Sequence, residues 1–345
     1  MQAFVMQGHG GLDRLAHAHV PAPELSAPDR VRIRLKAGAL NHLDLWTLKG
    51  LPGLSLTFPH ILGGDGAGVV ESVGSGVTRV APGDAVLFNP GISCYQCEWC
   101  TKGEHSLCVT YRLLGEHLPG TLAEYIVMPE SNVERFPRAD LTFPEAAAYS
   151  LVALTAWRMV ANRGALKAGE TVLVWGVGGG VSGMAVQVAK HLGATVIATS
   201  SSDAKLAAAK GWGADITLNH AKVDVAKEVR GITAKRGVDL VVENVGEATW
   251  DQTMRSLGRQ GRVVTCGATT GPIVSLDIRR LFWYQQTIIG STMGNQAEYR
   301  EVVRLLGERK LRPMVDSVVG FGDAVKAFER LSSGVQMGKV VVEMP

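Results

Sequence analysis

The sequence lacks a surplus of charge of one sign: 35 Lys and Arg face 32 Asp and Glu, leaving a formal charge of +3 over 345 residues. With no block of like charges either, the electrostatic case for nucleic acid or an anionic membrane falls away. Long hydrophobic runs are also missing. The longest, "AAAYSLVAL", is well short of the roughly 18 residues that a membrane span requires. The N-terminal "MQAFVMQGHG" has neither the basic head nor the apolar run of a signal peptide. A cytoplasmic, reducing location is therefore expected, where clustered cysteines hold metal more readily than disulfides. Cysteine itself is scarce, five in all, yet four of them crowd between positions 94 and 108.

What remains is an ordinary globular composition, 46% hydrophobic and 19% charged, long enough for roughly two domains. The 41 glycines cluster in short turns rather than in a low-complexity tract. Residues 1–150 read as short strands broken by turns: "VRIRLKAGAL" alternates, and "PDR" and "PGD" mark turns. From about Thr171 the texture changes to apolar runs closing on Gly or Ser, namely "TVLVWG", "ATVIATS", "DLVVENVG", "GRVVTCG" and "TIIGSTM". Between the early ones lie helical patterns. Val181, Met184, Ala185, Val188 and Leu192 form one stripe closed by Gly193; "SSDAKLAAAKGWG" forms another, with Ser202 or Asp203 at its N-cap. Strands alternating with helices predict an α/β fold with a doubly wound parallel sheet. Two further helices, near Gln296–Leu306 and Asp323–Leu331, and a strand "GKVVVEM" close the chain.

In "TVLVWGVGGGVSGMAVQVAKHLG", Gly178, Gly180 and Gly183 fit G-x-G-x-x-G between a strand and a helix. Glycines there admit a pyrophosphate to the backbone, at the positive end of the helix; a tight turn without a ligand is the plain alternative. A unit that binds NAD usually carries an acid at the end of its second strand. Here Ser200, Ser201 and Ser202 stand at that end, followed by Lys205, and Asp203 lies further on, where helix capping explains it. Hydroxyls and an ammonium suit the 2′-phosphate of NADP better than a bare ribose, although NAD stays possible if the serines only cap a helix.

Cys94, Cys97, Cys100 and Cys108 are spaced C-x2-C-x2-C-x7-C. Four thiolates close a tetrahedral zinc site and leave no position for a substrate, so this zinc is structural, one per chain. An iron–sulfur cluster is the competing occupant, but no second motif or "C-P" follows. Cys266, at a strand end, reads as a small core residue.

Together these segments resemble the medium-chain dehydrogenase/reductase superfamily, the zinc-type alcohol dehydrogenases and quinone oxidoreductases. The likeness runs over nearly the whole chain, through "ILGGDGAGVVESVG", the four-cysteine loop, "GTLAEYIVM", "AAAYSLVALTAW", the glycine turn and "GKVVVE". It implies a GroES-like β-rich catalytic domain from residues 1–150 and 285–345, with a zinc lobe at about 91–110, and a Rossmann dinucleotide-binding domain over 151–284. It also implies a small-molecule substrate bound in the cleft between them, and a homodimer, built by pairing Rossmann edge strands, or a homotetramer.

The zinc alcohol dehydrogenases bind a second, catalytic zinc, and here the likeness breaks. Asn41 stands at the first ligand position, Gly64 where the histidine belongs, Asp65 where the neighbouring acid belongs, and Leu151 at the third. Gly and Leu offer no donor side chain. His42, Asp44 and His60 are near enough in sequence to remodel such a site. The metal-free quinone oxidoreductases commonly carry Asn at the first position. The resemblance further implies that Thr155 contacts the nicotinamide and His42 the pyrophosphate. Leu43 replaces the hydroxyl that relays an alcohol's proton, while Asp44 and Asp65 are remnants bonding backbone or a basic neighbour. The full set of expected cofactor contacts is His42, Thr155, Gly176, Gly178, Gly179, Gly180, Val181, Ser200, Ser201, Lys205, Asn244, Gly267 and Lys339. The expected chemistry is carried by Asn41, Asp65 and Thr155: NADPH-dependent reduction of a quinone or α,β-unsaturated carbonyl without a catalytic metal. The rivals are a zinc alcohol dehydrogenase with substitute ligands and a non-catalytic NADPH-binding sensor or structural protein.

Overall fold

The computed structural model describes residues 1–345. The chain forms two compact units, one of Met1–Leu151 with Gly294–Pro345 and one of Val152–Met293.

The first unit is built on the long strand Arg30–Ala39, in which Val31, Ile33, Leu35 and Ala37 are buried and Arg34 is exposed. The alternation of "VRIRLKAGAL" thus becomes one core face and one solvent face. This strand is flanked by Asp65–Val73 and by the closing strand Lys339–Glu343, both antiparallel to it, and Tyr125–Pro129 pairs with its start. Phe4, Leu35, Leu62, Phe88 and Phe328 fill the core beneath. A short helix, α1 (His42–Lys49), follows the long strand directly. It lies in a stretch whose sequence reads as strands and turns, because "HLDLWTLK" buries Asp44 and Thr47 among its leucines and so lacks an apolar stripe. The cysteine lobe is pinched at its base by a two-stranded pair, Gly91–Ile92 with Arg112–Leu113.

The second unit contains six parallel strands, β1 (Thr171–Val174), β2 (Thr195–Ser200), β3 (Ile216–Asn219), β4 (Val238–Glu243), β5 (Leu257–Thr265) and β6 (Thr287–Gly290). Their order, 3-2-1-4-5-6, is the doubly wound order that carries a dinucleotide at the switch between β1 and β4. Val172, Leu173, Val174 and Val196–Ala198 are fully buried, as strands covered on both faces require. Helix α2 (Gly180–His191) follows β1 and buries Met184, Ala185 and Val188; Gly193, in the left-handed region at φ +83°, lies just beyond its C-cap. Helix α3 (Asp203–Gly211) is capped by Ser202. The unit ends at Met293, later than the 284/285 boundary expected from the sequence, because β6 pairs with β5 and completes the sheet. No helix is long and apolar enough to cross a membrane.

Candidate functional site

Strand register brings the first cluster together. Asp65 lies opposite Ala39, and Val341 opposite the same residue on its other side. Two residues past Ala39, the chain turns into α1 at Asn41, level with Lys339, while Leu40 donates its N–H to the Val340 carbonyl at 2.9 Å. Asn41 is the N-cap of α1 and forms a capping box with Asp44 at the third helical position. Asp44 closes the box from its side, accepting the Asn41 N–H at 2.7 Å with one oxygen, and takes the Gly63 N–H at 2.7 Å with the other. The Asn41 side chain also meets two charged groups. Its Nδ2 donates to Asp65 Oδ2 at 3.1 Å, and its Oδ1 accepts from the ammonium of Lys339 at 2.5 Å. Lys339 also donates to Asp65 Oδ2 at 2.8 Å, and Asp65 Oδ1 accepts the Leu151 N–H at 2.7 Å. Asp65 is wholly buried and Lys339 is 3% exposed, so the ion pair is dry. Burial pushes the Asp44 carboxyl up to about 6, against the lowering effect of its two backbone donors and of Lys339.

The three positions matched to catalytic-zinc ligands do converge. A Cβ on Gly64 would lie 3.2 Å from Leu151 Cδ1 and 3.7 Å from Asn41 Nδ2. A methyl group and an amide therefore occupy the place where a metal's donors would meet, a set that does not fit zinc. Nor do the nearby substitutes assemble. Both oxygens of Asp44 hold backbone N–H groups, and the buried His60 bonds the Gly115 carbonyl through Nε2 at 3.2 Å. Tyr149, a candidate pocket residue by sequence, is core instead: its hydroxyl donates to the Val302 carbonyl at 2.6 Å.

Cys94, Cys97, Cys100 and Cys108 bring their sulfurs within 4.8 Å of one another. A zinc tetrahedron with bonds of about 2.3 Å has S···S edges of about 3.8 Å, so the four thiols fit one ion with little adjustment. The backbone N–H of Cys94 already points at Cys108 Sγ and that of Cys97 at Cys94 Sγ, at 3.3 and 3.4 Å, donors that suit thiolates. The lobe supplies no fifth position for chemistry. Bound zinc would tie its loop together.

Of the positions expected to contact a dinucleotide, all but His42 and Lys339 lie in the second unit. Gly176 takes φ +67° at the turn after β1, and Gly179 is the N-cap of α2 with no side chain capping it. The first amides of α2, at Gly180 and Val181, therefore meet no side-chain cap, as a pyrophosphate site needs. Lys205 reaches back across this turn: a Cβ on Gly178 would lie 2.8 Å from its Nζ. Of the three serines, Ser202 caps α3 and the hydroxyl of Ser200 accepts the Ser202 N–H at 3.2 Å, whereas Ser201 is exposed. Asp203 is committed elsewhere, to Lys222 at 2.6 Å and Asn219 at 2.7 Å. Asn244, after β4, braces the turn through Ser182 Oγ at 2.9 Å, which in turn holds the Trp175 carbonyl. Gly267 follows β5, its carbonyl bonded by Thr265. Thr155 is buried, with its hydroxyl directed to Met293 Sδ at 3.5 Å. His42 is exposed on α1, edge-on to Trp46.

Sequence reasoning missed two parts of this arrangement. Lys339 was expected at the cofactor, but its ammonium is turned into the Asn41–Asp65 pair. The backbone anchors of Asp44 and Asp65, Gly63 and Leu151, were invisible because any residue supplies an N–H. No local pattern signals either, because the register of "GKVVVE" against "AGAL" is what joins them.

Comparison with known proteins agrees with this fold. Residues 27–138 match the alcohol dehydrogenase GroES-like domain and 180–308 the zinc-binding dehydrogenase domain. The NAD-dependent alcohol dehydrogenase of Saccharolobus solfataricus is 31% identical over 95% of this chain and 96% of its own. The acryloyl-coenzyme A reductase of Metallosphaera sedula is 30% identical over 99% of both. Among solved structures, an NAD-dependent alcohol dehydrogenase is 44% identical with a TM-score of 0.96 over 100% of each chain. The 2-octenoyl-CoA carboxylase reductase CinF, in complex with NADP and 2-octenoyl-CoA, is 30% identical with a TM-score of 0.90 over 99% of this chain and 87% of its own. The chain belongs to the medium-chain dehydrogenase/reductase superfamily, the GroES-like plus Rossmann class of NAD(P)-dependent oxidoreductases.

Proposed function

We propose that the chain is an NADPH-dependent reductase that adds hydride to the far carbon of an α,β-unsaturated carbonyl compound or a quinone, with no metal at the substrate. The observation that carries this reading is the meeting of Asn41, Gly64 and Leu151 where metal donors would stand. An alcohol or simple aldehyde needs a strong electrophile at oxygen. An activated double bond does not, because its own carbonyl takes up the electron pair as hydride adds, and hydrogen bonds are enough to hold that oxygen. The nicotinamide, when bound, supplies the hydride. The chain's own part is to position: Thr155 beside the nicotinamide, the α2 amides at the pyrophosphate, Asn41 at the substrate oxygen. No side chain here is marked as general acid, so water delivers the proton to the reduced substrate. The acryloyl-coenzyme A and 2-octenoyl-CoA enzymes are relatives whose names carry such a double bond.

NADP is favoured by Ser201 and Lys205 at the end of β2, by the lack of a free acid there, and by the NADP in the CinF complex. The four cysteines hold one structural zinc per chain. A homo-oligomer is favoured by the exposed Ile278, Phe282 and Trp283 on α4 (Ile278–Trp283), at 64%, 65% and 69%, next to the unpaired edge of β6.

A second reading, an alcohol dehydrogenase, is favoured by the name of the relative at 44% identity. A panel of quinones, enones, enoyl thioesters and aldehydes with NADPH and NADH, joined to metal analysis, decides. Enone or quinone reduction by protein with one zinc per chain is the expected result. Aldehyde reduction that tracks a second zinc overturns it, and cofactor binding without turnover of any compound points to a sensor.

A further inference from the structure

An asparagine amide has two faces of opposite character, and either can usually point either way. Around Asn41 that choice is removed. The ammonium of Lys339 has only donors and must meet Oδ1; the carboxylate of Asp65 has only acceptors and must meet Nδ2. Rotating the amide by half a turn would set N–H against ammonium and oxygen against carboxylate, two repulsions in a dry environment where Asp65 is 0% and Lys339 3% exposed. Lys339 and Asp65 bond each other as well, at 2.8 Å, so the frame holding the amide is itself rigid. Asp65 is anchored on its other oxygen by the Leu151 N–H, and the Asn41 backbone N–H is held by Asp44 at 2.7 Å.

The amide nitrogen carries two hydrogens, and Asp65 takes one. The second has no partner in the cluster, and Nδ2 stands 3.7 Å from the place that a Gly64 side chain would fill. We propose that Lys339 and Asp65 are positioning residues that lock the Asn41 amide so that its second N–H is presented to the substrate's carbonyl oxygen. The ammonium does more than orient. By drawing on Oδ1 it leaves the N–H more positive, so the opposite edge of the amide becomes a stronger donor as charge develops on the substrate oxygen. A cation thus acts on the substrate through one intervening amide in a family whose zinc enzymes use a metal directly. This inference rests on the reductase reading for its substrate, although the locked amide itself does not.

Steady-state kinetics with NADPH and 2-cyclohexen-1-one on wild type, Lys339→Met, Lys339→Arg and the charge-free pair Lys339→Met/Asp65→Asn supply the test. Roughly a 10- to 100-fold loss of kcat is expected for Lys339→Met and for the pair, with the Kd for NADPH within about twofold of wild type and Lys339→Arg recovering most of the rate. If Lys339→Met keeps kcat and weakens NADPH binding instead, Lys339 is a cofactor contact and the inference falls. Selective 15N-asparagine labelling, with Asn41→Asp identifying the resonance, reads the amide even if no substrate turns over. Lys339→Met should move the Asn41 side-chain signals and speed their exchange, and unchanged signals overturn the locked amide. A silent wild type with a Lys339-dependent amide refutes the reductase reading alone.

Discussion

The Leu151 backbone N–H sits 2.7 Å from Asp65 Oδ1, while the same residue's side chain lies against Gly64. One residue thus anchors the buried carboxylate and fills the space beside the glycine. Gly64→His should therefore fail to create a metal ligand on its own. Overpacking against Leu151 should cost about 1–3 kcal/mol in a denaturant melt. Leu151→Ala in the same chain should return part of that loss, because it removes the methyl group the imidazole meets.

Cofactor choice should turn on Lys205. Lys205→Ala removes the cation lying over the glycine turn, and NADPH binding should weaken by roughly 10- to 100-fold, the range of a charge-assisted hydrogen bond, while NADH binding hardly changes. Fluorescence titration of both nucleotides reads the ratio. Equal losses for the two would assign Lys205 to the turn rather than to a 2′-phosphate.

Metal analysis should return one zinc per chain, and Cys100→Ser should lose it. Because the four sulfurs lie in one loop closed by the Gly91–Ile92 and Arg112–Leu113 pair, the loss should lower Tm and disturb assembly first. Hydride transfer per folded molecule should persist, since none of these cysteines belongs to the Asn41 cluster.

Asp44 gives a pH signature. Its folded-state pKa is raised to about 6 from 3.8 by burial, so the native state binds the proton more tightly than the unfolded chain does. That contribution is complete below about pH 4 and lost as pH rises through about 6, about 3 kcal/mol in all at roughly 1.4 kcal/mol per pKa unit. Asp44→Asn cannot titrate, so the stability of wild type relative to this variant should fall between pH 4 and 7. A flat difference would contradict the buried carboxyl.

Phe282→Ser with Trp283→Ser should yield smaller particles by sedimentation without unfolding, since both rings are more than 60% exposed in the single chain.

Much of this was legible in the sequence, and for identifiable reasons. The parallel sheet announced itself because five of its six strands are short apolar runs closing on Gly or Ser, while Ile216–Asn219, which closes on Asn, carries no such mark; the cysteine spacing allowed few geometries. The Ser200–Lys205 stretch was readable because helix caps and strand ends follow local rules. The Asn41 cluster was only half visible. Its residue types could be aligned, but the partner of Asn41 lies 298 residues away, and what joins them is strand register, which no local pattern encodes. Helix α1 was missed for the opposite reason: its buried Asp44, which holds the Asn41 backbone, and its buried Thr47 erase the stripe that marks a helix.

That distance also bears on how the molecule comes into being. The strand carrying Lys339 leaves the ribosome after the entire second unit has been made, so until then Asp65 lacks its cationic partner and Asn41 the donor to its Oδ1. The six-stranded sheet can fold in the meantime, whereas the Asn41 cluster is completed by a strand synthesised after it. A chain interrupted just before Lys339 would hold a complete six-stranded sheet beside an unfinished Asn41 cluster.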